Sequence, residues 1–235
     1  MSEKFQGIDP VLTIPRERLG QGMRIEVRVV GDAAAVTADM ARWMADELRE
    51  RNTRGEPTRW IVPVGPVDQY PILAEICNRE RISLRNALIF NMDEYCYAAG
   101  RLIPPDHPLS FVGCMNRKFY ELLDPELRPL PENRIFPDPN DLEALPRRII
   151  AVGGIDVCFG GIGINGHIAF NEPPEPGERI SADEFRSLPT RVLPLARETR
   201  TINSVTVGGD LWTIPPKCVT IGMREILAAR EIRIY

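Results

Sequence analysis

At 235 residues and 43% hydrophobic composition, the chain is long enough for one α/β domain around a sizeable core. Its net charge of −4 gives no general attraction to nucleic acid or to an anionic membrane, so a charged substrate has to be met by a local site. The five cysteines form no C-x-x-C pair, MSEKFQGIDP has no apolar signal core, and no run approaches ~18 apolar residues, which together predict a cytoplasmic protein without a membrane span. Of the 29 basic residues only Lys4, Lys118 and Lys217 are lysines, and none sits in a motif suggesting a Schiff base.

Residues 1–22 are polar and irregular and are expected to form an N-terminal arm, leaving 23–235 as a single α/β domain. The run MRIEVRVV alternates Ile25, Val27 and Val29, a strand signal, and Gly31-Asp32 ends it with Asp32 as a helix N-cap. From Ala33 to Arg51 the apolar positions Val36, Met40, Trp43, Met44 and Leu48 recur at helical spacing, so these are core residues. WIVPV then reads as a strand, Ile72–Arg79 as a helix and ALIF as another strand. Further on, IDVCF, CVTIG and EIRIY read as strands and MREILAA as a helix. Short apolar runs alternating with helices predict a Rossmann-like, mostly parallel sheet flanked by helices. The polar stretch 173–189, PPEPGERISADEFRSLP, reads as a surface excursion or lid.

In such sheets ligands bind outside the carboxyl ends of the strands, and two features lie there. The first is NMDEYC after ALIF, where Asp93 and Glu94 are adjacent carboxylates; partial burial raises a carboxylate toward the range useful for proton transfer, whereas a solvated turn would have the same composition. The second is GIGINGHIAFNEP at 161–173. Gly161, Gly163 and Gly166 permit close backbone approach, and N–H groups of such a loop can surround an oxyanion. His167 and Glu172 lie five apart, and an imidazole beside a carboxylate is suited to moving protons near neutral pH. The alternative is a core histidine with a helix-capping glutamate. His107, in PPDHPLSF, is the other histidine, read as a loop residue between prolines with a second proton carrier as the alternative.

NMDEY together with GGIGINGHIAFNEP closely resembles the glucosamine-6-phosphate deaminase family, whose superfamily includes the 6-phosphogluconolactonases. His107-Pro108 with Ser110, Thr190-Arg191, Thr199-Arg200 and Asn203-Ser204 add to the resemblance, which runs from about Met23 to Tyr235. It implies that Asp93 shuttles a proton between C2 and C1 of an opened amino sugar. His167 would assist ring opening, Glu172 would orient it, and Asn165 would stand among the catalytic residues. Glu94, Gly65, Gly161, Gly163 and Gly166 would bind the sugar. No metal or organic cofactor is implied, and a homo-oligomer is expected.

Several positions depart from the family. Asn165 stands where the deaminases carry Asp, and an amide hydrogen-bonds but carries no charge. The family's phosphate loop, Thr/Ser-Gly-Gly-Thr-Pro, is here VPVGPVDQY, with Val64 and Val67 for hydroxyl residues, Pro66 without an N–H, and Asp68 adding negative charge. The arginine after Asn-Ser is Val205, and a basic position linked to allosteric control is Leu193. A last phosphate-binding lysine would fall beyond Tyr235, so the chain is either truncated or lacks that element. The expected function is an amino-sugar aldose–ketose isomerase/deaminase with altered or lost 6-phosphate recognition. A non-catalytic sugar sensor is the alternative, and a sugar-lactone hydrolase is disfavoured by Asn171-Glu172-Pro173.

Overall fold

The computed structural model describes residues 13–175 and 177–235. They divide into two compact units, one ending at Val36 and the other running from Thr37 to Tyr235.

In the first unit, Asp32 caps helix α1 (Ala33–Arg54) by accepting from the Ala35 amide at 2.8 Å, as its side chain predicts. The strand expected over residues 23–30 does not form, because the run has no ladder partner among the described residues. Ile25, Val27 and Val29 are all exposed. Alternation becomes a strand only when a neighbour supplies hydrogen bonds and covers the apolar face. The residues before 13, which hold most of the expected arm, lie outside the described residues.

The second unit carries eight strands: β1 (Arg59–Val62), β2 (Leu88–Asn91), β3 (Asp93–Cys96), β4 (Arg134–Ile135), β5 (Val157–Gly160), β6 (Arg191–Pro194), β7 (Lys217–Thr220) and β8 (Glu231–Ile234). Five form a wholly parallel sheet in the order β4-β2-β1-β5-β8. Side chains alternate between its faces. Trp60, Val62, Ile89, Val157 and Phe159 pack with Met40, Met44 and Leu48 of α1 and with Tyr70 and Leu73 of α2 (Gln69–Glu80). Ile61, Leu88, Phe90 and Cys158 pack with Leu145 and Ile149, from a helix at Ala144–Ala151, and with Ile226 of another at Met223–Leu227. Short strands buried on both faces explain why these runs are continuously apolar.

The sequence did not reveal a second sheet, β3-β7-β6, which is antiparallel. CVTIG therefore is a strand, but of this small sheet. A single residue, Met92, separates β2 from β3. Its amide donates to Val62 of the first sheet at 3.1 Å, and its carbonyl accepts from Ile221, just past β7, at 2.7 Å. Within the 173–189 excursion a helix forms at Ala182–Ser187, started by a Ser181/Glu184 capping box. No helix among the described residues is long and apolar enough to cross a membrane.

Asp156, at the entry to β5, ties three strand starts together. Its buried carboxylate receives Nε and Nη2 of Arg59 at 2.9 and 2.8 Å, with Arg51 and Arg230 each at 3.2 Å. Asp156→Ala would leave the little-exposed Arg59 charge unpaired, and chemical denaturation should show a loss of ~3–5 kcal/mol.

Candidate active site

The loops after β1 and β5 leave the sheet on either side of its topological switch point. They approach so closely that a Cβ on Gly161 would meet the Gly65 carbonyl at 3.1 Å and Pro66 Cδ at 3.0 Å. Beside them a cavity of about 690 Å³ opens, lined among others by Gly65, Asp93, Tyr95, Gly161, Gly163 and His167.

Asp93 is 5% exposed and its carboxyl receives no hydrogen bond from the described residues. Burial, reinforced by the adjacent Glu94 charge, pushes this carboxyl well above the usual carboxylate range. The main chain on either side of Asp93 is clamped between two sheets, so the group is fixed while its oxygens face the cavity.

Glu94 points the other way, and its expected place among the sugar ligands needs correcting. It does not line the cavity. Its oxygens accept from the amides of Tyr95, Phe111 and Val112 and from the Ser110 hydroxyl, all at 2.8–3.0 Å. Burial raises its carboxyl, and these hydrogen bonds oppose that. Glu94 thus anchors the start of helix α3 (Phe111–Met115), which contributes one wall of the cavity. Alternation along β3 sends successive side chains to opposite faces.

The glycine loop brings His167 to the cavity and places Asn165 and Glu172 behind it. His167 Nδ1 lies 2.7 Å from Asn165 Oδ1 and 3.1 Å from Glu172 Oε2, and Asn165 Nδ2 donates to Glu172 Oε2 at 2.7 Å. Two acceptors at Nδ1 assign the proton there and leave Nε2 as the acceptor on the ring. Burial works to raise the Glu172 carboxyl, but hydrogen bonds from His167 and Asn165, with Thr199 nearby, hold it below its ordinary value. Asn165 therefore meets its neighbours as a bridge between His167 and Glu172. The core-histidine alternative does not describe this imidazole, which is a cavity wall.

The glycines act mainly through shape. A Cβ on Gly163 would fall 2.0 Å from His167 Nε2, so only glycine leaves room for the ring. The amides of Gly163 and Gly166 are used within the loop, donating to the carbonyls of His167 and Gly163. Gly166, at φ +88°, shapes the turn and does not line the cavity. The expectation that these two amides hold sugar hydroxyls is thus corrected, whereas Gly161 and Gly65 stay at the wall. His107 is a turn residue whose Nδ1 accepts from the Leu109 amide at 3.1 Å, and it does not reach the cavity.

Tyr95 and Phe170 lie inside the two motifs and Phe111 outside them, and the fold brings the three together as an aromatic wall with ring centroids 4.8–5.9 Å apart. Asn203 donates to the Tyr95 hydroxyl at 2.8 Å. Arg191 donates to Asn171 Oδ1 at 2.8 Å, and Asn171 in turn donates to the carbonyls of Ile168 and Ile221, so this pair braces the loop. Among the described residues no group of His, Cys, Asp or Glu is arranged to hold a metal ion.

The parallel sheet with helices on both faces is the fold shared with a glucosamine-6-phosphate deaminase and a 6-phosphogluconolactonase of known structure. Among solved structures the chain is similar to a monomeric glucosamine-6-phosphate deaminase, with a TM-score of 0.72 and 28% identity, covering 89% of this chain and 81% of that one. The 6-phosphogluconolactonase of Thermotoga maritima shares the fold alone, with a TM-score of 0.59 and 16% identity over 88% of this chain and 81% of that one. No protein-family model matches. The glucosamine-6-phosphate deaminase of Porphyromonas gingivalis strain W83 is 34% identical over 208 residues, 83% of this chain and 72% of the relative. That of Cronobacter sakazakii is 34% identical over 214 residues, 85% of this chain and 73% of the relative. The chain belongs to the glucosamine-6-phosphate deaminase family.

Two outcomes follow from this geometry. Gly163→Ala should displace the imidazole and lower turnover by roughly 100-fold while the fold persists, read by steady-state kinetics beside circular dichroism. The raised Asp93 carboxyl makes the folded state bind more protons than the unfolded state, so its effect on stability becomes more unfavourable as pH rises above the unfolded carboxyl value. Asp93→Asn should therefore melt above wild type at neutral pH, and the gap should close near pH ~3, below the ordinary carboxyl value.

Proposed function

We propose that this protein is an amino-sugar aldose–ketose isomerase that releases ammonia, and that it no longer holds the sugar's far end through the family's phosphate loop. The observation that carries the chemistry is Asp93, buried, its carboxyl without a hydrogen-bond donor among the described residues, in the wall of the cavity that His167 also lines.

His167, with its Nδ1 proton directed at Asn165 and Glu172, offers Nε2 to the ring oxygen or anomeric hydroxyl and so moves the proton that opening of the pyranose requires. Asp93 then takes the proton from C2 of the open aldehyde, and the electron pair forms the C1–C2 double bond of an enolamine as O1 takes up a proton from water. Returning the C2 proton to C1 gives a C2 iminium beside a C1 alcohol. Water adds to C2 and ammonia leaves, producing a ketose. A raised carboxyl pKa makes Asp93 a stronger base once ionised, and it sets a pH below which the shuttle is protonated and idle.

The altered far end is supported by the loop after β1. Val64 and Val67 pack against the core, and Pro66 offers no N–H. Val205 is exposed and does not line the cavity.

In heavy water the protein should exchange deuterium into C2 of an amino sugar and release ammonia, with activity falling at acid pH through a limb above the ordinary carboxylate range. Asp93→Asn should abolish exchange. If no amino sugar, phosphorylated or free, shows exchange with wild type, the non-catalytic sensor is the correct account. Restoring the loop with Val64→Ser, Pro66→Gly and Val67→Thr should lower KM for glucosamine-6-phosphate by about tenfold, as expected for one or two recovered hydrogen bonds, and leave that for glucosamine unchanged. A KM for glucosamine-6-phosphate that rises when the loop is restored would mean that the present loop already holds the phosphate, and would remove the claim of altered recognition.

A further inference from the structure

The cavity has a charge pattern that the proton-transfer groups do not use. Among the described residues, its basic lining residues apart from His167 are Arg117 and Lys118, and its acidic one is Asp93. Lys118 Nζ lies 3.3 Å from the exposed Asp68, which places it beside the loop that follows β1. Arg117 makes no hydrogen bond or ion pair among the described residues. Its guanidinium lies over Gly113, where an added Cβ would come within 2.9 Å of Nη1.

Both cations ride on a π-helical turn, Asn116–Tyr120, that continues α3. Such turns recur at functional sites because they redirect neighbouring side chains. Here consecutive residues line one cavity, while Phe119 and Tyr120 are each 1% exposed and root the turn in the core. The loop offers no hydroxyl in Val64 or Val67 and no N–H at Pro66, so the cationic groups beside it that match an oxyanion are, among the described residues, the unpaired Arg117 guanidinium and the weakly paired Lys118 ammonium.

We propose that Arg117 and Lys118 form a subsite for an oxyanion, phosphate or carboxylate, on the end of the amino sugar remote from its reacting carbons. The proposal rests on the isomerase reading for the sugar's orientation, with C1 and C2 at Asp93. The cations replace the hydroxyl-bearing loop with charge delivered from a different element. They also explain how a chain with Val64, Pro66 and Val67 can still select a charged sugar.

Binding should be measured by calorimetry on the Asp93→Asn protein with glucosamine, glucosamine-6-phosphate and the C6-carboxylate analogue, 2-amino-2-deoxyglucuronate. At least one charged sugar should bind tenfold or more tightly than glucosamine, and its rank against the other identifies phosphate or carboxylate as the natural group. Arg117→Met with Lys118→Met should shrink that preference to about twofold, and Arg117→Lys should retain most of it. Lys118→Glu, at a solvent-reaching position, should cut the preference by itself, which guards against a misfolded double variant. A preference that survives both the double variant and Lys118→Glu, or no preference for either charged sugar, overturns the subsite. A bound sugar that wild type never exchanges at C2 overturns the isomerase reading and leaves the subsite standing.

Discussion

A buried carboxylate with no donor beside it opposes folding, and in this protein two sheets meet around such a group. Met92 gives its amide to the parallel sheet and its carbonyl to the antiparallel one, so Asp93 begins β3 at the point where the chain changes ladders. The pairing of both ladders holds Asp93 in place at the cavity wall. The unfavourable burial is thus offset by backbone hydrogen bonding in the two sheets, and a raised carboxyl is the consequence.

The same principle separates groups that composition treats as equals. Asp93 and Glu94 are adjacent acids, yet among the described residues one meets no donor and the other meets four, three of them at the start of α3: the Ser110 hydroxyl and the amides of Phe111 and Val112. One is left free to move a proton, and the other builds the wall. In the glycine loop Asn165 links His167 to Glu172 without adding charge, so among the described residues Glu172 is the anion in direct contact with the imidazole. Substituting Asn for Asp here keeps the geometry of the cluster while changing its electrostatics.

The parallel sheet was legible in the sequence because its central strands β1, β2 and β5 are buried on both faces and read as short apolar runs between helical periods. The small antiparallel sheet was not, since β3 carries Asp, Glu, Tyr and Cys, and β6 carries Arg, Val, Leu and Pro, with no alternation to announce them. Residues 23–30 failed in the opposite way, having the alternation without a partner strand. Asp93, His167 and Glu172 were visible through motif spacing. The aromatic wall of Tyr95, Phe111 and Phe170 was not legible as a wall, because its members are far apart in the chain and only the fold brings their rings together, although Tyr95 and Phe170 lie inside the motifs. Arg117 and Lys118 gave no signal among so many basic residues.

The sequence alone determined the α/β class, the family, and the residue types able to do proton chemistry, because these depend on local periodicity and on short contiguous motifs. Tertiary structure alone decided which carboxylate is unbonded, which glycines make room for the imidazole, and which cations share the cavity. Those properties are set by donors, backbone and walls that come from distant segments. A buried group's proton affinity belongs to its surroundings, and the surroundings of Asp93 exist only once β3 and β7 have paired beside the parallel sheet.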